Sequence, residues 1–447
     1  MRKLSYLLLC VLLPVMLNAK REEPSLRVGI ISDICIAAEN STADSVFVNS
    51  LQYFRTKDVD AVIIVGNFVR NGTENELGKF AKLWFSVFPD DKGLKGKHVE
   101  RMFIYGENEI VGHTNKSALS YYSAEFLEAF CISKRQDELW EKYFHEPFRP
   151  IYRKDIKGYT FIGSHYTSNG VADISEFLKA EESDFNSQDK PFFYIQYKHP
   201  AGTVPWEADN GNNTPVLEKY PNMVCFSGHS RISLTDENSI WQGSFTNINV
   251  GSLHQVKLRE GRDISAKIAH SHQGILMNVF ANKVEIDRYD FHNGESLGIW
   301  NIPTDINNRP YDPTVLSQQG SINPPTFPSK SSVTVERKKG KNRGGAKVKQ
   351  VYIHFPAAIS RKGRPRALDY EISVELMSYE VALKRRVCSQ SFYMSERADK
   401  ENGVKYIFDE SELPKGAPFR FIIKPVDSFD NYGEAIYTEY LVIYEND

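Results

Sequence analysis

Leu26-Arg27-Val28-Gly29-Ile30-Ile31-Ser32-Asp33 and Ala61-Val62-Ile63-Ile64-Val65-Gly66-Asn67 are the stretches on which the fold turns. The first is a short, β-branched run that stops at a carboxylate. The second is continuously apolar until Gly66, the pattern of a strand buried on both faces. Between them, Ser45 to Arg55 has Val46, Phe47, Leu51 and Phe54 near one helical face, and Glu74 to Phe88 reads as a second helix. Further apolar runs follow: Arg101 to Tyr105, Tyr159 to Ile162, Phe192 to Gln196 and Met223 to Phe226. Strands alternating with helices predict stacked α/β layers. The segments Ile240 to Val256 and Ile275 to Phe291 read as antiparallel strands completing this unit.

Working outward, 447 residues exceed one ordinary domain. Composition is globular, with 41% hydrophobic and 25% charged residues, and 12% aromatics favour sheet. A net charge of −2 argues against non-specific nucleic-acid binding by the whole chain. Met1-Arg2-Lys3 and the apolar run Leu4 to Leu17 read as a signal for export, cleaved after about Ala19. Leu9 is bulky where a lipid-attachment site at Cys10 needs a small residue, so plain export to the periplasm or medium is the expectation. No later segment is long and apolar enough to span a bilayer. Five cysteines, none in a CxxC pair, make neither a disulfide scaffold nor a zinc ribbon.

After Trp300 the composition changes. Asp305 to Ser332 is rich in Pro, Asn, Ser and Gln, as a linker or wrapped surface segment would be. Beyond it, Ser332 to Glu336, Lys349 to Phe355, Leu368 to Glu375, Gln390 to Met394, Phe419 to Pro425 and Tyr437 to Tyr444 predict a β-sandwich of fibronectin III style, with turns at Gly340 and Gly344-Gly345. The expected division is therefore 1–19 signal, 24–302 α/β unit, 303–331 linker and 332–447 sandwich. Basic runs in that last unit, such as Arg337-Lys338-Lys339 and Arg361-Lys362, read as solvated hairpin loops.

The chemistry lies where the strands end, since ligand sites in open α/β folds form beyond the strands' carboxyl ends. Those ends read Asp33-x-Cys35, Gly66-Asn67-x-x-x-x-Gly72, Gly106-Glu107-Asn108-Glu109, His199 and Gly228-His229-x-Arg231. Their order and spacing resemble the calcineurin-like metallophosphoesterases (DxH, GDxxxxG, GNH[DE], a lone His, GHxH), over roughly residues 26 to 300. Asn249-Val250-Gly251-Ser252 and the C-terminal sandwich look like that family's exported bacterial branch. The resemblance implies a four-layer α/β sandwich followed by an all-β domain. It also implies hydrolysis of phosphate esters by a hydroxide held between two metal ions.

The same comparison predicts a degraded centre. Cys35, Asn67 and Arg231 stand where the family has His, bridging Asp and His. Arg231 keeps its proton and cannot ligate a metal; it is expected to fill the vacated space and pair with Asp33. By resemblance, Glu107, His199 and His229, with Asn67 as a fourth donor, would hold at most one divalent ion (Zn, Mn or Fe), or none. Asp33 or Asn108 would orient water, and Asn108 replaces a titratable histidine. The expected ligand is a phosphate ester or glycan, with no specific nucleic acid. The competing expectation is a binding protein that uses the old cleft and contacts a surface or protein through its sandwich.

Overall fold

The computed structural model describes residues 22–111, 132–167, 170–185, 190–264, 271–359, 366–388 and 403–444. The expected signal segment, Cys131 and the strand expected at Gln390 to Met394 lie outside them.

Side-chain alternation along each strand builds the layers. In the strand Ala61–Val65, Ala61, Ile63 and Val65 point into a core shared with a second sheet, while Val62 and Ile64 point into a core under helices. Both faces are covered, which is why the run shows no polar alternation. The helices on that side are Thr42–Thr56, Glu74–Val87 and Ile132–Phe144; they supply Phe47, Phe54, Phe80, Trp84 and Trp140. In the second sheet, Phe193 and Ile195 face the shared core, and Phe192 and Tyr194 face the opposite way. There they meet Leu178 and Phe185 of the helix Ser175–Phe185. The result is a four-layer α/β sandwich, two six-stranded sheets with helices outside.

Parallel strands set the site. Leu26–Ile31, Ala61–Val65 and Glu100–Ile104 run parallel in the first sheet. Tyr159–Ser164, Phe192–Gln196, Met223–Ser227 and Thr246–Asn249 do so in the second. Thr246–Asn249 departs from the antiparallel expectation: only its hairpin with Ile240–Gln242 is antiparallel. Gln273–Val279 and Lys283–Asp290 are antiparallel, as expected.

The C-terminal unit is all β, with a three-stranded and a five-stranded sheet around one core. Two features differ from the sequence reading. Gly340 lies within the strand Thr334–Lys341, not at a turn; it stands beside the Gln350 side chain, where a Cβ would collide, and the hairpin turns at Gly344-Gly345. Residues 303–331 are a wrapped segment containing the helix Pro313–Ile322. Asp312 caps its start, and Gly320 lies against Asp427 and Asn431 of the sandwich. The α/β range also donates Arg262–Ile264 as a parallel strand to the sandwich sheet. Fully buried Asp369 pins that addition by accepting from Arg262 at 2.8 Å and Arg386 at 2.7 Å.

At their carboxyl ends the two large sheets converge through glycine. A Cβ on Gly228 would overlap Ser32 Oγ and sit 2.6 Å from the Val65 carbonyl oxygen, and backbone cannot yield as a flexible side chain does. Gly228→Ala is expected to cost about 2 kcal/mol in urea unfolding, within the range for overpacking. Gly344→Ala, whose Cβ meets nothing closer than 3.4 Å, should stay within about 0.5 kcal/mol of the parent. Equal midpoints for the two variants would contradict this packing.

Candidate functional site

The strand ends hold their side chains by an uncommon backbone. Asp33, Cys35, Asn67, His229 and Arg231 all adopt positive φ, between 50° and 61°. For non-glycine residues this left-handed region carries a cost of about 1 kcal/mol or more each. Backbone hydrogen bonds between strand ends hold it: Asp33 N–H to the Gly66 carbonyl, Cys35 N–H to Asn67, Gly228 N–H to Tyr197 and His254 N–H to Asp33.

Glu109 is the post beneath the turns. Fully buried, its carboxylate accepts from the N–H groups of Asn67 (2.9 Å), Gly106 (2.6 Å) and Val69 (2.8 Å). Burial pushes its pKa up to about 8, against the pull of those three donors. His165 stands beneath the same turn, with Nδ1 accepting from Tyr105 N–H among four aromatic rings. Burial drives its pKa down to about 3.

At the centre is Asp33, fully buried. Its Oδ1 accepts from Arg231 Nε at 2.9 Å, Asn67 Nδ2 at 3.1 Å and Tyr197 Oη at 3.3 Å; Oδ2 accepts from Ser32 Oγ at 2.8 Å. The pairing expected of Arg231 is present. Beside Asp33 the Arg231 guanidinium is held charged more firmly than usual. Asn67 is oriented by Asn108 N–H donating to its Oδ1 at 2.8 Å, so its NH₂ faces Asp33 and Tyr197 and offers no lone pair there. Tyr197 was not singled out from the sequence. It lies two residues before His199, and its burial raises its pKa well above the ordinary value.

Burial first, then the nearby His229, brings the His199 pKa down to about 4. His199 Nε2 faces the Glu207 carbonyl at 3.3 Å, and its buried Nδ1 has no hydrogen-bond partner among the described residues. His229 Nε2 meets Asp209 at 2.8 Å. Asp209, also paired with Lys198, is held well below the usual carboxylate range by the His229 hydrogen bond. Burial raises the pKa of the Tyr166 hydroxyl, and the charge of Glu107, half-buried at the start of the short helix Glu107–Ile110, adds to that. The expected ligand set of Glu107, His199 and His229 is thus not gathered: among the described residues no group of three or more His, Cys, Asp or Glu side chains is placed to hold a metal. His229 is turned to Asp209, and His199 Nε2 to the Glu207 carbonyl.

A cleft of about 440 Å³ opens over Cys35, Asn108 and Arg231. Its other walls include Arg70, His254 and His272, none of them singled out for the site from the sequence. Arg70 fell among the variable positions between Gly66 and Gly72, and His254 follows Ser252 by two residues. Asn108 is buried, with Nδ2 facing the Val69 carbonyl at 3.4 Å and Cys35 Sγ at 3.9 Å.

No protein-family model matches the sequence, and no curated protein matches it. Among solved structures, the chain is similar to a dimetal phosphatase of Danio rerio at 11% identity and TM-score 0.38, covering 63% of this chain and all of that one. It is also similar to a predicted phosphoesterase of Streptococcus pneumoniae, at 11% identity and TM-score 0.27, covering 62% and 97%. A third is GAP50, the anchor in the inner membrane complex of Plasmodium, at 12% identity and TM-score 0.39, covering 62% and 88%.

His165 gives the site a pH signature. Neutral when folded and titrating near 6.5 when unfolded, it contributes stability above that value and loses it as pH falls toward about 3. Urea unfolding from pH 7 to 4 should therefore show an acid loss. His165→Gln, which keeps an acceptor for Tyr105 N–H, should lessen that loss by up to about 3 kcal/mol. An unchanged acid limb in the variant would contradict the assignment.

Proposed function

We propose that this chain is an exported protein of the phosphoesterase type that has given up two-metal hydrolysis and works by binding a ligand in its old cleft. One observation carries the reading. The Asp33 oxygen that would face a cation already accepts from Arg231, Asn67 and Tyr197. A metal approaching it meets three donors and a fixed positive charge, and the guanidinium does not deprotonate to make room. The strand-end motifs and the four-layer architecture support the phosphoesterase type. The basic start and apolar run before Ala19 support export. No helix among the described residues is long and apolar enough to cross a membrane. The C-terminal sandwich, joined to the α/β unit through Asp369, is a second surface for recognition.

The residues present do not fit a dinuclear centre, so no hydrolytic step is derived through one. Without two ions, the charge stabilisation they would supply to an in-line displacement is absent, a loss of several powers of ten in rate. A second reading, a one-metal hydrolase, is favoured by the unpartnered, buried Nδ1 of His199 beside His229.

Metal analysis of the purified protein separates the two, together with turnover of p-nitrophenyl phosphate and its bis-ester in added Mn²⁺ or Zn²⁺. The binding reading predicts substoichiometric metal and rates at the buffer background, unchanged in His229→Ala. One equivalent of metal with turnover that His229→Ala abolishes would overturn it in favour of the hydrolase.

A further inference from the structure

The cleft beside Asp33 presents two guanidinium groups, those of Arg70 and Arg231. Arg231 uses Nε on Asp33, and its two terminal nitrogens make no hydrogen bond among the described residues. Arg70, exposed on the cleft wall, has neither an ion pair nor a side-chain hydrogen bond among them. His254 adds an unpartnered imidazole at the same wall. Glu39 is the one carboxylate among the residues lining the cleft, and buried Asp33 is already paired with Arg231. Two guanidinium groups with free N–H forks converging on one cleft match the oxygens of a tetrahedral or planar oxyanion.

Asn108 narrows the choice. Its Oδ1 is buried and has no partner among the described residues, and its Nδ2 faces two acceptors, so the oxygen is the atom left over. A buried acceptor without a donor is costly, and a ligand that brings an O–H relieves it. Hydrogen phosphate keeps an O–H beside its anionic oxygens at neutral pH, and a phosphate monoester does so in its singly protonated form, below a second pKa of about 6; sulfate presents only acceptors. The cleft is far larger than a bare phosphate, and Ala37, Ala43 and Leu253 give it apolar wall for the organic part of an ester.

We infer that this cleft is a metal-independent receptor site for a phosphate monoester, with the Arg70 and Arg231 guanidinium groups taking the anionic oxygens and Asn108 Oδ1 accepting the phosphate O–H. The inference rests on the binding reading above and names its ligand class. The charge that two metal ions supply in a phosphoesterase would here come from arginine.

Calorimetric titration in EDTA at about pH 5.5, where phosphate and phenyl phosphate are both largely singly protonated, tests it, with inorganic phosphate, phenyl phosphate and sulfate as probes. Saturable binding of phosphate or phenyl phosphate is expected, with sulfate at least about tenfold weaker. Tighter binding of phenyl phosphate identifies an ester as the ligand; tighter binding of inorganic phosphate overturns that part. Arg70→Gln should weaken phosphate at least about tenfold and leave the thermal midpoint in phosphate-free buffer unchanged, since the Arg70 side chain makes no hydrogen bond or ion pair among the described residues. Asn108→Ala should erase the preference over sulfate. Absence of saturable phosphate binding, its loss on adding EDTA, or equal affinity in Arg70→Gln would each overturn the site. Hydrolysis of phenyl phosphate with added metal would instead overturn the binding reading, so the two failures are distinguishable.

Discussion

Arg231 Nε donating to buried Asp33 Oδ1 at 2.9 Å is the interaction on which the site depends. A carboxylate with no exposure at the convergence of two sheets needs a cation or several donors. In a phosphoesterase the cation would be a metal. Here a guanidinium on the loop after Met223–Ser227 supplies it, helped by Asn67, Tyr197 and Ser32. Removing one partner of a buried pair leaves the other charge stranded, typically at about 3 kcal/mol or more. The pair is therefore structural as well as electrostatic.

The backbone around it keeps the shape of a ligand site. Five non-glycine residues at positive φ, all at strand ends, cost more than ordinary turns would, and Glu109 with its three N–H donors holds two of those ends together. Strain of this kind is kept where a side chain must point into a cleft. An arginine, an amide and a thiol stand at positions where the family resemblance implies metal ligands.

The layers were legible because their cause is local. Ala61–Val65 and Phe192–Gln196 carry apolar residues at every position, and only a strand covered on both faces requires that. The strand-end motifs likewise named Asp33, Asn67, His199, His229 and Arg231, and the Arg231–Asp33 pair followed from the family resemblance, which puts Arg231 where a metal ligand would stand, together with its charge. The parts that escaped depend on distant partners. Tyr197, Arg70 and His254 carry no motif and matter only because folding brings them to Asp33 and its cleft. Glu107 looked like a ligand by position, yet its neighbours are set by the helix it begins. The helix Pro313–Ile322 was hidden in a Pro- and Asn-rich segment because its support, Asp427 and Asn431, comes more than a hundred residues later. Strand Arg262–Ile264 is three residues long and has meaning only against Val381–Cys388.

The central claim is that a guanidinium occupies the place of a cation beside Asp33. Anomalous diffraction at the manganese edge, from crystals equilibrated with Mn²⁺, reads that place directly. The account predicts no manganese peak within bonding distance of Asp33 and clear density for Arg231 Nε against its carboxylate. Two manganese peaks sharing a bridging oxygen, with Arg231 turned away, would contradict it.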